Sequence, residues 1–239
     1  DEAGAQAYIQ QTLEKVRALP GVASASAAMN APLHGISWTT PYLVSDQPAP
    51  PAAERPWAAM NRVVPGYFRT LQAHLLAGRF FADSDHAHAP LVAIINQAMA
   101  RKSGAAVGKR VFVQDDNQWR TVVGVVADIH QLSLTAPVQP EIFVPLEQFP
   151  VPFVTLVARA AGAPGPVLRE LAAAVPTLQP PVLMTASAHQ GLARRDFLTA
   201  LLAGFGLLAL LLAALGIYAI AAQRVAAGMR EMGVRMALG

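Results

Sequence analysis

The chain has 239 residues, of which 54% are hydrophobic and only 14% charged, against about 25% charged in an ordinary soluble domain. That excludes a disordered chain, which needs many charges and few apolar residues, and it directs the search toward a membrane segment. The absence of cysteine excludes disulfides, zinc–thiolate sites and cysteine nucleophiles, and a net charge of +3 is too small for the concentrated basic face that nucleic acid demands.

The opening Asp1-Glu2-Ala3-Gly4 has neither an initiator Met nor the features of a signal peptide, so the chain reads as a fragment of something longer. Ile9, Leu13 and Val16 recur at helical spacing over residues 4–19, and Pro20-Gly21 stops that helix. Val22 to Met29 reads as a strand. Residues 30–56 hold six prolines and little periodicity, which predicts a loop. Trp57 to Val64 reads as a strand, and Pro65 opens a short helix through Leu71. Leu91 to Ile95 reads as a buried strand, with Asn96 capping a helix over Gln97 to Lys102. Val107–Val113 and Trp119–Val126 form a hairpin about the turn Asp115-Asp116-Asn117. Ile142–Val144, Val154–Arg159 and Val182–Thr185 are further strands, and Pro166 to Val175 is helical. From about Ala188 a helix can continue without a breaker.

Candidate chemistry is sparse. Gly104-Ala105-Ala106-Val107-Gly108-Lys109-Arg110 fails as a P-loop: only three residues separate its glycines, and Arg110 stands where a hydroxyl must reach magnesium. Asp83-Ser84-Asp85-His86-Ala87-His88 lacks the glycine and glutamate of an EF-hand and reads as a solvated loop. Asp128-Ile129-His130 follows a strand as an ordinary polar loop. His34, His74, His130 and His189 are scattered, and no Gly-x-Ser-x-Gly elbow occurs. The sequence therefore names no catalytic residue, no cofactor and no metal ligand.

Phe197 to Ala222 carries no charge. As a helix it would be about 39 Å long, enough to cross a hydrocarbon core of about 30 Å. Ala200 with Gly204, and Ala209 with Ala213, make small-xxx-small pairs suited to close helix packing. Arg224, Arg230 and Arg235 follow the run and Arg194 and Arg195 precede it, which biases the C-terminal side toward the cytoplasm. The tail from Arg224 to Gly239 is short, basic and amphipathic, with Glu231 and Arg235 four residues apart. By itself it suits either a lipid-surface anchor or a partner-binding helix. The fold expected is an α+β extracytoplasmic domain over residues 1–190. A stalk and transmembrane helix over 191–222 and a short amphipathic cytoplasmic helix over 223–239 complete it.

Met229-Arg230-Glu231-Met232-Gly233-Val234-Arg235-Met236-Ala237-Leu238-Gly239 resembles the R-E-(I/M)-G-(I/V)-R-M-A-L-G signature of MacB/FtsX-type ABC transporter permeases. Val64-Pro65-Gly66-Tyr67-Phe68-Arg69-Thr70-Leu71 followed by Leu76-Ala77-Gly78-Arg79-Phe80-Phe81 resembles the MacB-like periplasmic core domain. Val92–Asn96, Val107–Arg110, Val122–Asp128 and Phe205–Leu210 continue the likeness in order. The resemblance implies a permease of the bacterial inner membrane, with residues 1–196 periplasmic and residues 223–239 cytoplasmic. It implies that ATP is hydrolysed by a separate ABC-type ATPase, whose closure moves the membrane helices and through them the outer domain. Arg230, Glu231 and Arg235 would make polar contacts with that ATPase. Met232, Gly233, Met236 and Leu238 would belong to the same docking helix. Lipid and further permease helices, or a second permease half, would be the remaining partners. A single-pass anchored sensor or binding domain is the alternative reading.

Overall fold

Ile9, Leu13 and Val16 lie on the buried side of helix α1 (Glu2–Arg17), as their spacing predicts. They pack on Ala25 and Ala27 of strand β1 (Val22–Ala28), whose alternate side chains face this helix. The structure, a computed structural model, describes residues 2–33, 37–176, 179–184, 201–213 and 215–217. Two units are compact by themselves, Asp1–Ala188 and His189–Gly239.

In the first unit β1 is followed by β2 (Trp38–Val44), β3 (Trp57–Val63), α2 (Tyr67–Leu71), β4 (Leu75–Gly78) and β5 (Val92–Asn96). Then come α3 (Gln97–Ser103), β6 (Arg110–Val113), β7 (Gln118–Val126), β8 (Glu141–Pro145), β9 (Thr155–Ala160) and α4 (Pro164–Ala174). Six strands pair in the order β2-β6-β7-β5-β8-β3, and β3 pairs back onto β2, so the ladder closes on itself. Closure leaves no free edge within the ring. Its interior is filled by alternate residues: Tyr42 and Val44, Ala58 and Met60, Ala93 and Ile95, Val111 and Val113, Val122, Ile142 and Val144. Each of the Val, Ile and Met side chains among them contributes about 1.5–3 kcal/mol on burial.

Strands β3 and β7 outrun the ring. Where β3 passes β2 it takes up β1 at Ala28↔Val63, and β1 in turn carries β9. Where β7 passes β6 it takes up β4, with Gly78 opposite Gly124. A Cβ on Gly78 would stand 2.2 Å from the Val123 carbonyl oxygen, and one on Gly124 2.3 Å from that of Arg79. Two strands can approach this closely only without side chains there. Gly78 also holds φ at +74°, in the left-handed region.

The outer face of β3 and β8 is covered by an aromatic cluster. Phe68 of α2 lies 4.9 Å from Phe143, 5.5 Å from Tyr67, 5.5 Å from Phe80 and 6.2 Å from Phe81, centroid to centroid. The Gly66-Tyr67-Phe68 and Phe80-Phe81 segments are thus one packing unit.

Several expectations are corrected. Residues 30–56 contain β2, a full member of the ring, where a loop is predicted. Strand β4 has no counterpart in the sequence reading. Helix α2 begins after Gly66, whose φ of 92° keeps it and Pro65 outside the helix. Strand β6 begins only at Arg110, since Gly108 turns at φ 89°. Residues 181–183 are irregular rather than a strand, and Thr185 lies outside the described residues. Residues 201–213 and 215–217 are helical. No helix among the described residues is long and apolar enough to cross a membrane, and the proposed span over 197–222 lies partly outside them.

Candidate functional site

The docking residues Arg230, Glu231, Met232, Gly233, Arg235, Met236 and Leu238 lie outside the described residues, as do Ala200, His34 and His189. Gly204, Ala209 and Ala213 sit in the helical stretch 201–213 with exposed surfaces. Around them Leu202, Phe205, Leu207, Leu210 and Leu212 are each more than 60% exposed.

The near-miss motifs of the first unit resolve into structural devices. Gly104 ends α3 in the left-handed conformation, its N–H bonded to the Ala100 carbonyl, and Gly108 makes the turn into β6. In the Asp83–His88 segment Asp85 is buried rather than solvated. Arg79 grips it with two hydrogen bonds of 2.7 and 2.8 Å, and the Ala82 N–H adds a third. The Arg79 guanidinium holds the Asp85 carboxyl below its ordinary range. His86 accepts a hydrogen bond from the His88 N–H at 3.3 Å. Among the described residues no three His, Cys, Asp or Glu side chains converge on a point that could hold a metal. Asp128 caps α3: its Oδ1 accepts from the Ala98 N–H at 2.7 Å, and its Oδ2 pairs with Arg101 at 2.9 Å. Asn96, the cap read from sequence, accepts from the Met99 N–H at 2.9 Å. It also accepts from the Glu141 N–H and donates to the Gln139 carbonyl, so it ties α3 to β8.

One mouth of the ring is closed by charge. Arg62 extends the inward row Ala58-Met60 on β3, and Arg120 precedes Val122 on β7. Both are buried, Arg120 completely. Arg120 pairs with Asp116 at 2.5 Å, and Arg62 lies 3.9 Å from Asp115. The Phe149 ring lies 3.8 Å from the Arg62 guanidinium and 5.7 Å from that of Arg120. Asp115 also accepts from the Trp38 indole at 2.6 Å. Burial lowers the Arg62 pKa, and the two aspartates oppose that shift. Each arginine has an aspartate and the Phe149 ring at hand, although Arg62 Nε, Asp116 Oδ1 and the Arg120 guanidinium nitrogens make no hydrogen bond of standard geometry, and the plug reads as a structural clamp.

The outer face of β8 carries a different arrangement. Glu141 opens β8 and is 3% exposed. Its Oε1 accepts from Gln131 Nε2 at 2.8 Å. No ion pair to Glu141 occurs among the described residues, whereas Asp85, Asp115, Asp116 and Asp128 each face an arginine. Burial pushes the Glu141 carboxyl up to about 8, and the charge of Asp128 pushes the same way. The Tyr67 hydroxyl is fully buried and lies by the Gln131 and Asn61 side chains without a hydrogen bond of standard geometry. Gln131 Oε1 and His130 Nδ1 are buried and unpartnered. A small cavity of about 20 Å³, the space of one water, lies beside Glu141, Gln131 and His130, between the 129–139 loop and the outer face of β3. Sequence reading missed it. Its one signal is Glu141 heading the apolar run Ile142-Phe143-Val144, a charge where a buried strand begins.

A family model described as the MacB-like periplasmic core domain matches residues 3–174. The extracellular domain of the noncanonic ABC-type transporter YknZ from Gram-positive bacteria is similar in structure, with a TM-score of 0.50 at 17% identity. That match covers 72% of this chain and 86% of the other. The periplasmic region of MacB from Actinobacillus actinomycetemcomitans gives a TM-score of 0.47 at 13% identity, covering 69% of this chain and 72% of that one. No curated protein matches the chain.

Proposed function

We propose a function on the premise that this chain belongs to the MacB-like periplasmic core domain family. It is the extracytoplasmic and membrane-entering part of an ABC transporter permease. In this reading it hydrolyses no ATP itself and converts closure of a partner ATPase into movement of the outer domain. The observation that carries the proposal is an order along the chain. The family domain over residues 3–174 is followed by the uncharged run 197–222, and that by Arg230-Glu231-Met232-Gly233-Val234-Arg235-Met236-Ala237-Leu238-Gly239. Large apolar side chains are exposed on the helical stretch 201–213, which suits lipid or neighbouring helices as its surroundings.

Coupling through residues 230–238 follows from what an amphipathic helix can do. Arg230, Glu231 and Arg235 would meet charged and polar groups of the ATPase, while Met232, Met236 and Leu238 fill an apolar groove. Methionine suits such a groove because its side chain adapts to irregular surfaces. Gly233 leaves the backbone accessible beside it. The Ala200/Gly204 and Ala209/Ala213 pairs would let a neighbouring membrane helix approach closely. Residues 1–196 would then lie in the periplasm and residues 223–239 in the cytoplasm of a bacterial inner membrane.

The double charge reversal Glu231→Lys with Arg235→Glu tests the docking helix. Expressed in its own membrane, the variant should insert normally and lose most ATPase co-purification. Undiminished co-purification would refute the docking role, because reversing both charges at one contact replaces attraction by repulsion.

A further inference from the structure

We propose that the outer face of strands β2, β6 and β7 docks an acidic protein segment, with Phe112 and Trp119 as its flat apolar seat and Arg55 and Arg110 as the receivers of its carboxylates. The alternation that turns Tyr42, Val44, Val111 and Val113 into the ring turns Pro41, Leu43, Arg110 and Phe112 outward. Register then assembles a row across three strands: Leu43 stands opposite Phe112, and Phe112 opposite Trp119. Trp57 joins at the side through its pairing with Pro41. None of these four apolar residues belongs to the three clusters of the core, and Trp57 and Trp119 are 58% and 38% exposed. Large apolar side chains that serve no core and gather on one face mark a contact surface.

The charges then select the occupant. The Arg110 guanidinium lies 5.5 Å from the Trp119 ring centroid, that ring 5.4 Å from Phe112, and the Arg55 guanidinium 6.0 Å from Phe112. Two rings are thus flanked by two cations. A guanidinium laid over a ring keeps N–H groups at its edge for a second partner. Arg110 makes no side-chain hydrogen bond and no ion pair among the described residues, whereas Arg62, Arg79, Arg101 and Arg120 each face an aspartate. Arg55 donates one hydrogen bond, to the neutral Gln114 at 3.1 Å, and its Nε is buried without a partner. The acids bordering this face do not answer these cations: Asp115 and Asp116 lie against Arg62 and Arg120, and neither Asp46 nor Glu54 forms an ion pair with Arg55 or Arg110. The arrangement fits carboxylates on both sides of an apolar residue. Tryptophan and arginine are the residue types that dominate the energy of protein–protein contacts, which favours a polypeptide over a lipid surface. A second copy of this chain lacks the complement. Its acids come closer than five residues apart only at Asp1-Glu2, Asp83 with Asp85, and Asp115-Asp116. Asp1-Glu2 has no large apolar residue before Tyr8, Asp85 is gripped by Arg79, and the last pair belongs to the plug.

Fluorine NMR of the full chain in phosphatidylcholine nanodiscs tests this, with fluorotryptophan at Trp38, Trp57 and Trp119 and each resonance assigned by a Trp→Phe replacement. The probe is the peptide Glu-Phe-Glu-Leu-Glu, and Lys-Phe-Lys-Leu-Lys is its control. The acidic peptide should shift the Trp119 resonance saturably. It should leave Trp38 in place, because that indole is bonded to Asp115 at the mouth of the ring. The basic peptide should shift neither. The wild-type spectra decide this without any arginine variant having to fold. Arg55→Gln with Arg110→Gln, both outside the Arg62–Arg120 plug, should weaken the acidic peptide about tenfold, and added salt should weaken it in the wild type. Equal shifts from both peptides, or an unmoved Trp119 at about 1 mM acidic peptide, would overturn the assignment. A Trp119 shift with phosphatidylglycerol vesicles but not with the peptide would overturn it in favour of a membrane. A Trp119 shift that follows the protein's own concentration would overturn it in favour of a second copy.

Discussion

Glu141 sets a pH dependence that can be read at one residue. Its folded pKa of about 8 exceeds the ordinary value of 4.5 because burial disfavours the charged form. Between those two values the folded chain holds a proton that the unfolded chain has lost. Stability contributed by that proton is complete below about pH 4.5 and is lost progressively as pH rises to about 8, where the loss stops. At 1.36 kcal/mol per unit the span is on the order of 5 kcal/mol. Glu141→Gln has no proton to lose and keeps an amide oxygen for Gln131. Its guanidinium midpoint should therefore match wild type near pH 5 and exceed it clearly at pH 8.5. The three tryptophans, Trp38, Trp57 and Trp119, all belong to the first unit and report its unfolding. Parallel pH profiles for the two proteins would show that Glu141 does not titrate as argued. Asp85 has the opposite sign: Arg79 lowers its pKa, so its contribution is present at neutral pH and disappears in acid.

At the scale of elements, the contact of β4 with β7 depends on two missing side chains. Gly78→Ala would drive a Cβ into the Val123 carbonyl oxygen and impose a positive φ on an L-residue. The left-handed conformation alone costs about 1–2 kcal/mol, and the backbone clash adds to it. The variant should unfold at a lower denaturant concentration, by roughly 2–4 kcal/mol in stability. Gly21→Ala is a useful control, since its φ is also positive at +80° but its Cβ would meet only a Val167 methyl at 3.1 Å; a loss at Gly78 no larger than at Gly21 would remove the clash from the account. Most of the elements could be read from pattern: the α1 stripe, the apolar run Val92–Ile95 of β5, the Asn96 cap and the β6–β7 hairpin all announce themselves locally. Strand β2 could not, because Pro41 stands inside it and prolines flank it. Proline is tolerated there because its absent N–H falls at the end of the β2–β6 ladder, which runs over residues 42–44. The Pro41 carbonyl still accepts from the Gln114 N–H. Strand β4 is too short and too exposed to carry a period. The Glu141 cavity was illegible for a different reason: Tyr67, Gln131 and Glu141 come from separate segments, and the pairing of β3 with β8 sets Glu141 beside Ala59.

At the scale of the whole molecule, the three apolar clusters draw only on residues between Ile9 and Val175. The ring of six strands closes without help from the second unit, and the Arg62–Arg120 plug seals one mouth with groups from β3, β7 and their turns. A body closed this way is packed too densely to absorb displacement within itself, which suits a part proposed to be moved by a lever. It also predicts independence. Residues 1–190 produced alone should be soluble and unfold in one cooperative transition reported by tryptophan fluorescence. They should hydrolyse no ATP, because the Gly104–Arg110 segment is a helix cap and a turn rather than a phosphate cradle. Cooperative unfolding at a midpoint close to that of the same residues within the full chain would show that the outer unit owes its stability to its own core. Aggregation under every condition, or a midpoint far below that of the full chain, would mean that residues beyond 190 complete the fold. The domain boundary, and with it the picture of a rigid outer body driven from below, would then have to be redrawn.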